Sequence, residues 1–216
     1  MSQTKAQLID AAATFTISSD ASFNSVSIGK GANSVAGNTV LGETALDASV
    51  SGGNNTAIGK DALTTLTSGA FNTAIGSAAL DANTTGTRNT SVGYASLSTV
   101  TTGVGNTGIG MQSLFANTTA DNNTAVGRDA MVSNTTGGGN AALGAFSLDA
   151  NSTGTNNTAI GESALGSNTT AADNTAVGKN ALTVNTTGAS NTAVGRSALQ
   201  NTTTADNNSA VGYFAL

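Results

Sequence analysis

Seventeen residues separate each copy of a nine-residue phrase from the next. NTAIGKDAL at 55–63 is followed by NTAIGSAAL at 72–80, and the Gly of the phrase recurs at Gly42, Gly59, Gly76, Gly93, Gly110, Gly127, Gly144, Gly161, Gly178, Gly195 and Gly212 without an insertion or deletion. A fixed short period is the signature of a stacked architecture, in which no unit buries its own apolar face and each is completed by its neighbour. A related phrase, NSVSIG at 24–29, stands thirteen residues ahead of the first regular unit.

The columns of this repeat constrain the coil. Four residues before the Gly every unit has Asn, including Asn55, Asn72 and Asn89. Three before it is Thr, except at Ala141 and Ser209, and one before it is a branched aliphatic such as Ile58, Ile75 or Val92. Three after it is Ala or Ser, and four after it is Leu (Leu63, Leu80, Leu97) except at Met131. Gly, Asn, Thr and Val are poor helix formers, and no 3-4-7 apolar spacing persists inside a unit. The N-T-A-V run alternates as a short strand does, and the Gly that follows, as at Gly59, Gly76 and Gly93, ends it in a turn or a close backbone approach. A second short strand is expected around the Ala-Leu pair, with the NTTG segment turning the chain back.

The predicted fold class is therefore all-β: a parallel β-solenoid of 17-residue coils over residues 23–216, preceded by an attachment or capping segment at 1–22. Stacking sets Ile58 on Ile75 on Val92, and Leu63 on Leu80 on Leu97, and both apolar columns are expected to form a narrow core. The Asn column is expected to form a coil-to-coil ladder of side-chain amides. The Thr column shares an alternating face with the aliphatic one, so it is expected to be buried with it. Phe15, Ile17 and Phe23 are expected to cover the first coil, because an open stack needs its end closed.

Composition narrows function mainly by exclusion. His and Cys are both absent, which removes the commonest general base, the commonest metal ligand and all thiolate chemistry. Net charge is −5, with no basic stripe of the kind nucleic acid requires. Asp and Glu are scattered over several columns, so neither a recurring carboxylate pair nor a calcium ligand in every coil is present. No catalytic, cofactor-binding or metal-binding residue is assigned, no cofactor is expected, and neither a nucleic-acid partner nor membrane insertion is expected. Charges do obey the repeat: Lys30, Lys60, Arg128, Lys179 and Arg196 each follow a Gly directly, which marks that column as an exposed corner. Tyr94 and Tyr213 occupy the same corner column, with Phe146 and Phe214 one residue further on. These four are the candidates for receptor contact, against packing between subunits as the plainer explanation. Two apolar stripes on so thin a coil exceed what one interior needs, so one of them, with its small Ala, is expected to face another subunit in a threefold bundle, with a monomer as the alternative.

The phrase N-T-A-[IV]-G-x-x-A-L, with NSVSIG at 24–29, resembles the head repeats of trimeric autotransporter adhesins of the Yersinia adhesin type, and similar arrays occur in phage fibre and other virion proteins. The resemblance covers about residues 24–216. It implies a left-handed parallel β-roll, a homotrimer and contact with a host surface. The opening MSQTKAQLID is similar to the start of some cyanophage structural proteins. The adhesins carry a secretion signal, a coiled-coil stalk and a barrel anchor, none of which is read here, and their usual period is shorter than 17. The expectation is therefore a trimeric phage fibre, spike or capsid decoration on the virion, held to other virion proteins by its N-terminal segment and reaching a host glycan or protein. The alternative is the head of a bacterial cell-surface adhesin. An ice-binding solenoid is a third reading, and it would need two exposed Thr columns.

Overall fold

A computed structural model describes residues 20–216. Within them the chain is a parallel β-solenoid of about ten turns, with 17 residues per coil and no α-helix. One short strand per coil joins a single sheet: β1 (Ala21–Phe23), β2 (Val26–Gly29), β3 (Thr39–Gly42), β4 (Thr56–Ile58), β5 (Thr73–Ile75), β6 (Thr90–Val92), β7 (Thr107–Ile109), β8 (Thr124–Val126), β9 (Ala141–Leu143), β10 (Thr158–Ile160), β11 (Thr175–Val177), β12 (Thr192–Val194) and β13 (Ser209–Val211). From β3 onward every pairing is parallel and in register, Ile58 beside Ile75 and Ile75 beside Val92. At about 4.8 Å per strand the parallel stack is roughly 50 Å long.

The strands are three residues long because the Gly column stops them. Gly93 has φ +132° and Gly110 φ +131°, a region closed to side-chain-bearing residues. A Cβ on Gly93 would also lie 2.6 Å from the carbonyl oxygen of Gly110, one coil on. Both the dihedral and the contact demand glycine, which explains its invariance across the repeat.

Beyond the Gly the chain turns rather than forming the expected second strand. Leu63, Leu80 and Leu97 have φ of 53°, 52° and 52°, in the left-handed region. So do Asp61, Ala78 and Ala95 two residues earlier. Each such residue costs about 1–2 kcal/mol. For Leu the inward aim offsets this cost: all three are fully buried, worth roughly 1.5–3 kcal/mol each. Their backbone N–H groups also donate to the next coil, Leu80 to the Ser96 carbonyl at 3.1 Å.

The Leu column lies in the core as expected, but the strand faces the other way round from the expectation. The strand's middle residue points in, and it is small: Ala57, Ala74, Ala125, Ala159, Ala176 and Ala193 are fully buried. Opposite them lie the Leu column and the second Ala column, Ala62, Ala79 and Ala130. Ile58, Ile75 and Val92 stack as the repeat requires but stand on the outer face, with Ile75 37% exposed. The Thr column lies outside with them. The cause is thickness: in a 17-residue coil the Leu of the turn supplies much of the interior volume, and the strand residue facing it is small in every coil but the first, where Val40 is buried.

Two core coils show how tight this fit is. Ser91 and Gly108 replace Ala in the strand column, while Ser96 and Ser113 replace Ala in the turn column. The Ser96 hydroxyl donates to the Gly108 carbonyl at 3.0 Å and lies 2.9 Å from the Ser113 hydroxyl. A Cβ on Gly108 would lie 2.7 Å from the Ser96 hydroxyl oxygen. Gly108 is thus the space the serines occupy.

The NSVSIG unit is not a coil. β1 and β2 form an antiparallel hairpin turned by Asn24 and Ser25, both with positive φ, and β2 pairs antiparallel with β3. The parallel stack therefore begins at Thr39, not at residue 23. Asp20 fixes the hairpin, its carboxylate accepting from the backbone N–H groups of Lys30 at 2.7 Å and Gly31 at 2.6 Å. Gly31 then lies against Leu46, the first buried Leu. This segment covers the end of the core. Phe23 belongs to β1, whereas Phe15, Ile17 and most of the 1–22 segment lie outside the described residues.

Gly93→Ala meets both barriers at once, so it is expected to destabilise the fold by more than about 3 kcal/mol, on the scale of severe backbone and packing defects. Thermal unfolding followed by circular dichroism checks this.

Candidate functional site

Two interior ladders and two outer surfaces organise the coil. The first ladder is the Asn column. Each Asn from Asn38 to Asn191 is buried at the entrance to its strand, so its amide must be satisfied from within the protein. The Asn72 backbone N–H donates to Asn55 Oδ1 at 2.9 Å, and the Asn89 N–H donates to Asn72 Oδ1 at 3.0 Å. Each Nδ2 reaches fourteen residues ahead, Asn72 to the Gly86 carbonyl at 2.9 Å and Asn89 to the Gly103 carbonyl at 2.7 Å. Asn72 Nδ2 also donates to Asn55 Oδ1 at 3.1 Å. Amide-to-amide contact is therefore only part of the ladder. Its constant element is a side-chain oxygen holding the next coil's backbone, which fixes where the next strand starts.

A second ladder was missed by sequence reasoning. Asn83, Asn117, Asn134, Asn151, Asn168 and Asn185 open the NTT segments (NST at Asn151) read only as the turn between units, and all are fully buried. Asn151 Nδ2 donates to Asn134 Oδ1 at 2.9 Å, and Asn168 Nδ2 to Asn151 Oδ1 at 2.9 Å. Each also closes its own turn, as Asn151 Nδ2 does on the Gly154 carbonyl at 3.0 Å. The available signal was the fixed spacing of three residues after the Leu, where Leu66 and Val100 take the same place and are equally buried. An apolar residue alternating with Asn in one column marks an interior position.

The outer sheet face carries the Thr column and the aliphatic column side by side with no charged residue. Ile109 is 39% and Leu143 51% exposed on it. The threonines of the turns instead turn their hydroxyls back on the backbone, as Thr84 does to the Thr101 carbonyl at 3.1 Å.

The corner after the Gly carries five of the seven basic residues and most of the exposed rings. Glu43 pairs with Lys60 at 3.6 Å and Glu162 with Lys179 at 2.9 Å, each across one coil. These exposed pairs contribute at most about 1 kcal/mol each. Tyr94 is 59% exposed, and Phe146 is half-buried beneath the Arg128 guanidinium, 4.5 Å from its ring centre. The arrangement recurs at the last coil, where Arg196 lies 5.8 Å from the Tyr213 ring and Tyr213 meets Phe214 edge-on at 4.5 Å. Of the four candidate receptor residues the structure brings Tyr213 and Phe214 together, while Tyr94 and Phe146 stand three coils apart along the same edge of the rod. Burial pushes the Asp149 carboxyl up, against hydrogen bonds from its own and the Ala150 backbone, with the nearby Asp129 charge adding to the rise.

Among the described residues no group of three or more Asp and Glu side chains is placed to hold a metal ion, and no helix is long and apolar enough to cross a membrane. The chain has no match among protein-family models, curated proteins or solved structures. Its class rests on its own geometry: a parallel β-solenoid built on an Asn ladder.

The second ladder ends at Asn185, whose Oδ1 is buried without a partner, because the next coil has Thr202 in that column. Thr202→Asn supplies the missing donor and is expected to raise stability by about 1 kcal/mol, read as a shift in the urea midpoint. Asp149 loses stability as pH rises, because its folded-state acidity is weakened: its contribution is full below the ordinary value of 3.8 and is lost as pH passes through the raised folded value. Asp149→Asn is expected to flatten that part of the stability–pH curve, measured by denaturant unfolding across acid to neutral pH.

Proposed function

We propose that the chain is a structural and adhesive virion protein, a homotrimeric fibre, spike or capsid decoration that projects from the particle and meets the host surface. The observation that carries this reading is the outer sheet face. It presents a continuous column of branched aliphatics from Leu41 to Val211, one per strand, with no charge beside it. Several members are more than a third exposed, including Ile75, Ile109, Leu143 and Ile160. An uncharged apolar stripe roughly 50 Å long is far more than the scattered apolar residues of an ordinary monomer surface, and it marks a surface made to be covered.

A second copy of the same face is the natural cover. Leu41 and Leu143 are the two members of this column not branched at Cβ, and in the Leu143 strand Ala141 replaces Thr. Three copies around one axis would bring the aliphatic columns together and leave the charged corners outside. The repeat phrase and its resemblance to adhesin heads and virion fibres favour three copies over two and set the left-handed coil as the expected winding. In this reading the residues preceding the Asp20 clamp attach the rod to the particle.

The mass in solution tests it. The chain is 20.9 kDa, so light scattering is expected to give about 63 kDa, three times that value. Replacing Ile75 and Ile109 together by Asp should return a 20.9 kDa species with an unchanged β-sheet spectrum. A wild-type protein of 20.9 kDa would contradict the trimer.

A further inference from the structure

We infer that the corner running from Tyr94 to Phe146 is a binding ledge for a neutral, hydroxyl-rich glycan. Four consecutive coils supply it: Tyr94, then Met111 with Gln112, then Arg128 with Asp129, then Phe146. The coils are tied together at this corner by backbone hydrogen bonds. Gln112 N–H donates to the Tyr94 carbonyl at 3.0 Å, Asp129 N–H to the Met111 carbonyl at 3.0 Å, and Phe146 N–H to the Arg128 carbonyl at 3.1 Å. Side chains on this corner are therefore held on a rigid rail about 4.8 Å apart, and the ledge is about 14 Å long. An extended chain of sugar rings has the dimensions to lie along it.

Within its column the ledge differs from the stretches that flank it, and a similar grouping returns at the last coil with Arg196, Tyr213 and Phe214. On either side the corner is closed by ion pairs, Glu43 with Lys60 and Glu162 with Lys179. Between them the exposed groups are a ring and a thioether, Tyr94 at 59% and Met111 at 41% exposed. Single exposed apolar residues need no explanation, but these two lie on adjacent coils beside a fixed guanidinium. The Arg128 guanidinium carbon lies 4.5 Å from the Phe146 ring centre, and its Nε is 3.8 Å from the Asp129 carboxylate. Both contacts restrain it while its side chain stays 55% exposed. Such a restrained fork loses little freedom when it binds, which favours affinity.

The chemistry of these groups selects the ligand. An exposed aromatic ring offers its face to the apolar C–H side of a pyranose while its hydroxyl remains wet. Arg128 and Gln112 donate hydrogen bonds and Asp129 accepts, which suits neighbouring hydroxyls that both donate and accept. The adjacent Asp129 and the chain's net charge of −5 disfavour an acidic glycan. This assignment gives a ligand class to the host contact of the virion reading and rests on that reading for its biological setting, whereas sugar binding itself is measurable on the isolated protein.

The chain has two tyrosines, Tyr94 and Tyr213, and no tryptophan, so Tyr213→Phe leaves Tyr94 as its single tyrosine reporter. That protein is titrated with maltohexaose, cellohexaose and mannohexaose, and with an acidic oligogalacturonate. A saturable change in Tyr94 emission with at least one neutral sugar, weakened tenfold or more by Arg128→Ala in a variant with unchanged circular dichroism and melting temperature, is the expected result. Calorimetry on Tyr94→Ala should show the same loss. No saturable change with any neutral sugar, a response to the oligogalacturonate alone, or undiminished binding by Arg128→Ala would each overturn the assignment. Because solution mass is measured separately, failure here leaves the trimer standing, and a monomer that binds sugar leaves the ledge standing.

Discussion

The whole structure depends on identical groups lying one above another at a separation of seventeen residues. An Asn side-chain oxygen receives the backbone N–H of the next Asn, and this one hydrogen bond sets the height and direction of the strand that follows. A solenoid coil with a three-residue strand has little local stability of its own. Its strand pairs, buried Leu and buried amides are all completed by the neighbouring coil. A position that fails to match its counterpart one coil away therefore disturbs two interfaces, which accounts for the near-constancy of the Asn, Gly and Leu columns.

Much of this was legible in the sequence because repetition reveals columns that a single unit hides. The period, the parallel stacking, the Gly stop and the exposed corner all followed from residue types at fixed spacing. The assignment of inside and outside did not. Period-2 alternation says that Ala57 and Ile58 face opposite ways, but not which way is in. The usual preference for burying the larger residue points to Ile58, yet the thin coil has room for Ala57 because the Leu from the turn, Leu63, already fills the interior. The same thinness places the Thr column outward, which removes the reason for setting it inside. The second strand failed for a related cause: Ala-Leu reads as an apolar pair, but three left-handed residues per coil are needed to close a loop this short, and Leu is one of them.

The candidate surfaces were less legible than the fold. Exposure of Tyr94 and Tyr213 followed from sharing a column with Lys60 and Arg196. The stacking of Arg128 on Phe146 spans eighteen residues, one more than the period, so a column-by-column reading does not bring the two together. The buried Asn of the NTT segments was hidden by its composition, since Asn and Thr ordinarily signal a solvated turn. The antiparallel hairpin was hidden by its likeness to a coil: NSVSIG keeps the phrase but not the spacing, and the altered spacing is what lets β2 run against β3 and cover the end of the core. The repeat phrase thus specifies the rod, and departures from it mark where the rod is capped and where it offers chemistry.

If the 17-residue register is the organising constraint, a whole coil is removable and a partial one is not. Deleting residues 157–173 takes out one complete period and brings Asn174 over Asn140 and Asn185 over Asn151. Amide hydrogen exchange on this deletion is predicted to show continuous protection from β4 to β9 and on through β11 to β13, with a melting temperature close to that of the full chain. Deleting 157–171 instead shifts every later column by two residues and is predicted to abolish protection beyond β9. Equal tolerance of the two deletions, or loss of the fold in the first, would contradict the account.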